Sequence, residues 1–187
     1  MKKIYFVICL LLTYQSVFGQ ENISKEELKR QIAEGNALII SQIKWNSVTD
    51  SDAIEYIKTL ASDELNRQKN GSASYFAQVA LAKMNNASAL DQIREECKID
   101  NPQYFVGMEK VFQVGGRFAL KTFYSLLHDE TQVHIDGVKD VIYYPKNAMA
   151  IYYLSKMVER PPTRRGVPSN NIPAWKKWFE EHKHLID

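Results

Sequence analysis

The sequence predicts an all-α fold, and three observations support this class. Apolar residues recur three or four positions apart along most of the chain, as on one face of a helix. Turn residues such as glycine, proline and asparagine interrupt these patterns at short intervals. Almost no segment alternates apolar and polar residues, as a half-buried strand would. We therefore expect roughly eight helices joined by short connections.

Residues 1–19 have the pattern of a removed export signal. Lys2 and Lys3 precede an apolar run from Ile4 to Leu12, and small residues follow it. The mature chain is therefore predicted to begin at Gln20 and to be exported, either to the periplasm or to the medium. No later stretch approaches about 20 apolar residues, so no membrane span is expected after signal removal.

The charge balance argues against a nucleic-acid binder. The chain has 24 Lys and Arg residues, two of them in the predicted signal, and 22 Asp and Glu residues. The mature chain is therefore neutral overall, whereas nucleic-acid-binding proteins usually carry a basic excess. Cys97 is the one cysteine that remains, so the fold must be held by its core rather than by an internal disulfide.

The N-terminal segment, residues 20–70, begins with a predicted helix. Ser24 followed by Glu27 forms a capping box, and Gly35 is expected to end this helix. The stretch Ala37 to Trp45 is apolar without a clear period, so it could be a short helix or a strand, and we favour the helix.

A second helix of this segment is predicted to start at Thr49, with Asp52 three residues later. Four apolar residues then share one face: Ala53, Ile57, Leu60 and Ala61. Residues 66–74 are polar and contain Gly71, which predicts a loop and a boundary.

Residues 71–187 contain six further helical stripes, separated by turns at Asn101-Pro102, Gly115-Gly116 and Pro161-Pro162. A longer polar link covers residues 128–146, and the last helix is expected to begin near Pro173. The stripes are Phe76, Val79, Ala80 and Met84; Ala89, Ile93 and Cys97; Tyr104, Met108, Val111 and Phe112; Ala119, Phe123, Leu126 and Leu127; Ala150, Leu154, Met157 and Val158; and Trp175, Trp178, Phe179 and His182.

Two segments of this region align when shifted by thirty residues. Ala89-Leu90 matches Ala119-Leu120, and Asn85-Asn86 matches Gly115-Gly116. Each segment is predicted to be helix, tight turn and helix, a unit that needs a neighbouring pair to bury its apolar face.

Three stretches resemble HEAT-like helical repeats of exported bacterial proteins: AQVALAKMNNASALDQI (residues 77–93), AMAIYYLSKM (148–157) and AWKKWFEEHK (174–183). Ala80-Leu81, Met84 and Ala89-Leu90 carry the resemblance, which covers about residues 72–184. It implies a right-handed α-solenoid-like stack of antiparallel helix pairs over residues 71–187, packed as one domain with residues 20–70. The alternative is an irregular helical bundle.

Three arginines, Arg160, Arg164 and Arg165, flank the stiff Pro161-Pro162 pair. Arginine can bind a carboxylate or phosphate through two parallel hydrogen bonds, so this loop could display them to an acidic partner. A solvated loop between helices is the alternative. Replacing Arg164 and Arg165 by alanine is expected to weaken the binding of such a partner with little loss of stability.

Aromatic residues are frequent in the C-terminal part of the chain. Tyr143 and Tyr144 precede Pro145, which favours an extended backbone, so we expect both to be partly exposed contact residues. Trp175 and Trp178 could instead stack on sugars in a glycan-binding module, although aromatic residues at helical spacing usually fill a core.

The segment 128–136 offers an enzymatic alternative. His128, His134 and Asp136 are metal-ligating residue types, and the same segment could hold an acid–base pair. The spacing matches no zinc motif, and a solvated polar loop is the favoured interpretation of this segment.

These observations together predict an exported, non-enzymatic protein-interaction module or scaffold of the cell envelope. Its expected partner is another envelope or extracellular protein, and no cofactor is expected. The oligomeric state is left open.

Overall fold

The computed structural model describes residues 23–62, 71–99, 103–131 and 145–187. Within these ranges every regular element is helical, which confirms the all-α class. The predicted export signal and its cleavage site before Gln20 lie outside the described residues. The α-helices are α1 (Lys25–Ala33), α2 (Ile39–Gln42), α3 (Ser51–Ser62), α4 (Gly71–Lys83), α5 (Ala87–Glu96), α6 (Tyr104–Val114), α7 (Gly116–Leu126), α8 (Lys146–Met157) and α9 (Ile172–Glu181), with 3-10 turns at Trp45–Ser47 and Lys183–Leu185.

The chain forms two compact units, one ending at Leu90 and the other beginning at Asp91. In the first unit α4 is the central helix, and it packs against α2, α3 and the 3-10 turn Trp45–Ser47. Ala73, Ala77 and Ala80 are buried on α4, because small side chains let neighbouring helices approach closely. The sequence-based division at residue 70 stays a prediction.

The predicted start and end of α1 are confirmed. The Glu27 N–H donates to Ser24 Oγ at 3.3 Å, which caps the helix. Gly35 follows the helix with φ 85°. Its N–H and that of Asn36 bond back to the carbonyls of Ile32 and Gln31, a Schellman motif that satisfies carbonyls at the helix end.

Two other boundaries in this unit differ from the prediction. The cap of α3 is Asp50 and not Thr49: the Asp52 and Ala53 N–H groups donate to Asp50 Oδ1 at 2.9 and 3.1 Å. The predicted loop 66–74 is wrong for residues 71–74, which form the first turn of α4. Burial of this turn against the unit core outweighs the weak helix preference of its glycine and serines.

The stretch Ala37 to Trp45 contains the expected short helix, α2, followed by the 3-10 turn. Trp45 is buried, and its indole Nε1–H donates to the Ile40 carbonyl at 2.7 Å. This bond ties the turn to α2 and gives the indole donor a partner, as a buried tryptophan requires.

In the second unit, helices that follow each other along the chain pack against each other: α6 with α7, α7 with α8, and α8 with α9. The predicted stripe of α7 is confirmed in full, with Ala119, Phe123, Leu126 and Leu127 all buried. The stripes of α6 and α8 are buried except for Phe112 and Met157, which are partly exposed.

Two lysines of this unit are buried with partners. Lys110 Nζ lies 2.6 Å from a carboxylate oxygen of Glu96. Lys146, the first residue of α8, donates to the Lys98 carbonyl at 2.8 Å and lies 3.5 Å from Asp129. Buried ammonium groups require such partners, so both lysines act in packing.

Cys97 is a free thiol and is fully buried. Its Sγ–H donates to the Ile93 carbonyl at 3.4 Å. Burial raises the pKa of the thiol to about 12, so it remains protonated and behaves as a small core side chain.

Candidate functional site

The second unit contains an open groove of about 500 Å³, a size typical of ligand-binding sites. It lies between the start of α7, the end of α8 with the segment after it, and the end of α9. Most of the lining is apolar, and three polar side chains join it: Glu159, Arg160 and His182. The apolar lining consists of Gly116, Leu120, Met157, Val158, Trp178 and Leu185.

Helix α9 presents two different faces because of its aromatic spacing. Asn171 caps the helix by accepting the Ala174 N–H at 3.4 Å. Trp175 and Phe179, four residues apart, are buried. Trp178, next to Phe179 on the helix surface, is partly exposed and faces the groove.

Trp178 and His182 form the aromatic wall of the groove. Their rings stack with centroids 4.2 Å apart and planes 10° from parallel. His182 Nδ1 lies 2.7 Å from the Trp178 carbonyl oxygen. Because a carbonyl oxygen can only accept, Nδ1 must carry the hydrogen, and only Nε2 remains for a ligand. The stack and this bond fix the wall in one orientation.

Arg160 is the member of the predicted arginine cluster that lines the groove. It is exposed, and among the described residues its guanidinium has no hydrogen bond or ion pair. Arg164 is exposed as well and does not line the groove. Of the three arginines, Arg160 is therefore the one whose charge is available to a ligand in this groove.

Arg165 has a structural task that the sequence did not reveal. Its Nη2 donates to the carbonyls of Val158 and Glu159, both at 2.8 Å. The predicted helix end at Pro161-Pro162 is wrong by a few residues, because α8 ends at Met157 and Val158 is already extended. Arg165 satisfies carbonyls just after this end, so replacing it should cost stability.

Two further bonds hold the segment after α8. The Gly166 N–H donates to Ser155 Oγ at 2.8 Å, and the Trp175 indole N–H donates to Thr163 Oγ1 at 3.0 Å. Trp175 is 0% exposed, so its ring packs beneath the segment that follows α8 and cannot stack on a glycan. Of the two predicted tryptophans, only Trp178 is in the groove.

The segment 128–136 is described only as far as Thr131. His128 is exposed. Asp129 accepts the Thr131 N–H at 3.0 Å, and Lys146 lies beside it. Burial raises the pKa of Asp129, but the bonds from Thr131 and the Lys146 charge outweigh this and leave that pKa below its usual value. His134 and Asp136, like Tyr143 and Tyr144, lie outside the described residues.

Among the described residues, no three His, Cys, Asp or Glu side chains gather closely enough to hold a metal ion. In the same part of the chain, no helix is both long and apolar enough to cross a membrane. Comparisons with protein-family models, curated proteins and solved structures give no match to this chain. The HEAT-like resemblance therefore rests on the sequence alone.

The groove itself was not predicted from the sequence. Its walls come from the ends of three helices whose residues lie far apart in the sequence, from Gly116 to Leu185. The spacing of Trp178 and His182, one helical turn apart, was the local signal for one wall.

Proposed function

We propose that this chain is an exported, non-enzymatic interaction module that binds another envelope or extracellular protein through the α7–α9 groove. The observation that carries the proposal is the fixed Trp178–His182 wall beside Arg160, whose guanidinium has no partner among the described residues. Tryptophan and arginine are the residue types most enriched among the residues that dominate binding at protein interfaces.

We further propose that the helices form a HEAT-like, right-handed α-solenoid-like stack. The successive packing of α6, α7, α8 and α9 supports this, since repeat proteins place consecutive helices side by side. The two aligned turns support it as well. Asn85 and Gly115, thirty residues apart, both have a positive φ, 59° and 72°.

The fixed geometry of the groove supports the binding of a partner. A protein ligand loses less free energy on binding when the receiving side chains are already ordered. The segment after α8 is held by Arg165, Ser155 and Trp175. The wall of α9 is held by the stack and by the His182 bond. Both sides of the groove are therefore arranged before a partner arrives.

The test is a cross-linked affinity purification from the native envelope and medium, read by mass spectrometry. Three forms of the mature protein serve as bait: the wild type, Trp178→Ala and Glu180→Ala. Glu180 is exposed on the same helix and does not line the groove, so it is the matched control. We expect one dominant protein with wild type and Glu180→Ala, and at least about a 30-fold loss of affinity with Trp178→Ala.

Equal recovery of the partner with Trp178→Ala would show that the groove is not the binding site. Absence of any protein partner would contradict the interaction function. The next measurements would then address the alternatives: tryptophan fluorescence titrated with cell-wall sugars for glycan binding, and metal content with His128→Ala and His134→Ala for an enzyme.

A further inference from the structure

The lining of the groove constrains the chemistry of its occupant. Leu120, Met157, Val158 and Leu185 join the Trp178 ring in one apolar surface, which can bury one bulky apolar side chain of a ligand. A volume of about 500 Å³ leaves space for the residues on either side of it. An extended or one-turn peptide segment fits these dimensions.

The positive charge at this surface comes from Arg160 and from the start of α7. Arg160 lines the groove with its guanidinium unpaired among the described residues. Arg117, also exposed, follows Gly116 at the start of α7. The dipole of α7 adds to this, because its positive end begins at Gly116 in the groove.

One acidic residue lines the groove, and a second follows the helix that forms its wall. Glu159 lies next to Arg160 in the lining, and Glu181 ends α9 just before His182. Glu181 is 4.0 Å from Lys177, which offsets its charge. Glu159 is therefore the one uncompensated acid of the described lining. The Arg160 guanidinium beside it can bind a ligand carboxylate through two hydrogen bonds.

We infer that the groove binds an acidic peptide segment, with one aromatic or large aliphatic side chain on Trp178 and a neighbouring Asp or Glu carboxylate on Arg160. This rests on the proposed function and specifies its ligand. In the neutral imidazole, His182 Nε2 adds a hydrogen-bond acceptor for a peptide N–H, because Nδ1 carries the hydrogen that is bonded to the Trp178 carbonyl. A basic segment would be repelled by Arg160, which gives the groove its selectivity.

The experiment is a peptide-display selection on the protein without residues 1–19, followed by fluorescence polarisation with the enriched peptides. We expect enriched peptides to carry Asp or Glu next to Phe, Trp or Leu. Arg160→Gln should lower the affinity for these peptides by about tenfold. Arg160→Glu should lower it by more, since the new carboxylate repels the acidic peptide. Arg164→Ala, a neighbouring arginine outside the groove, should change the affinity less than threefold.

A second set of peptides, with Gln in place of Glu, completes a double-mutant cycle between the peptide carboxylate and Arg160. These should bind the wild type about tenfold more weakly than the acidic peptides, and should bind wild type and Arg160→Gln equally. Circular dichroism confirms that each exposed-site variant is folded.

The outcomes separate the two proposals. Some enriched peptides could bind in a way that depends on Trp178 and yet show no preference for acidic residues, or a preference for basic ones. That result would overturn this inference and leave the interaction function standing. An acidic preference unaffected by Arg160→Gln would also overturn it. Failure to enrich any peptide whose binding is lost in Trp178→Ala would contradict the inference together with the proposed function of the groove.

Discussion

Gly107 lies where α6 packs directly against the end of α5. A Cβ atom added there would lie 2.8 Å from the main-chain carbon of Glu96 and 2.9 Å from both the nitrogen of Cys97 and the Cβ of Glu96. Ordinary contacts of a Cβ are 3.4–4 Å. None of these atoms belongs to the flexible end of a side chain, so Gly107→Ala must push the two elements apart.

The expected loss follows from two opposing terms. Overpacking a dense site costs about 1–3 kcal/mol, and contact with main-chain atoms places this site near the upper value. Alanine recovers about 1 kcal/mol through its higher helix propensity. The same separation would lengthen the buried ion pair of Lys110 and Glu96, now 2.6 Å. We therefore expect Gly107→Ala to lower the free energy of unfolding by about 2 kcal/mol.

Urea unfolding followed by circular dichroism measures this loss as a shift of the midpoint by about 1 M. Val106→Ala is the control, because Val106 is 44% exposed on the same helix. That variant changes helix propensity without crowding and should alter the free energy of unfolding by less than about 0.5 kcal/mol. A Gly107→Ala protein as stable as the wild type, or more stable, would refute the close approach of α5 and α6.

Two further predictions concern the charged groups of the second unit. Arg165→Ala should lower the free energy of unfolding by about 1 kcal/mol, because the carbonyls of Val158 and Glu159 lose a charged donor. Arg164→Ala should leave the free energy of unfolding unchanged. Equal effects of the two variants in urea unfolding would contradict the capping role. Asp129 has a lowered pKa in the folded state, so its contribution to stability is present above its unfolded pKa and is lost as the pH falls through the lower, folded one. Melting temperatures recorded from neutral to strongly acidic pH should therefore fall less steeply for Asp129→Asn than for the wild type, and parallel curves would disprove this linkage.

Helix periodicity was the most reliable information in the sequence. The stripe of Ala119, Phe123, Leu126 and Leu127 is buried as predicted, because a spacing of three and four residues keeps apolar side chains on one side of a helix. The first turn of α4 was missed for the opposite reason. Its small polar residues favour a loop locally, and burial against α2 and α3 decides the conformation instead.

The residues of the candidate site divide in the same way. Arg160 and Trp178 could be singled out because charge beside proline and aromatic spacing are local patterns. That Arg160 lies in a groove while Arg165 caps a helix depends on where α8 ends. This end is set by the packing of the whole unit, so a single sequence could not assign different roles to arginines five residues apart.

The capping role of Arg165 also bears on binding. The segment that carries Glu159 and Arg160 follows the end of α8 directly, and Arg165 bonds to the main chain of that segment. A loop ordered in this way loses little conformational entropy when a ligand binds, which raises affinity without any new contact. We propose that Arg165 contributes to binding in this groove by positioning Arg160, which lines it, while Arg165 itself stays bonded to the main chain.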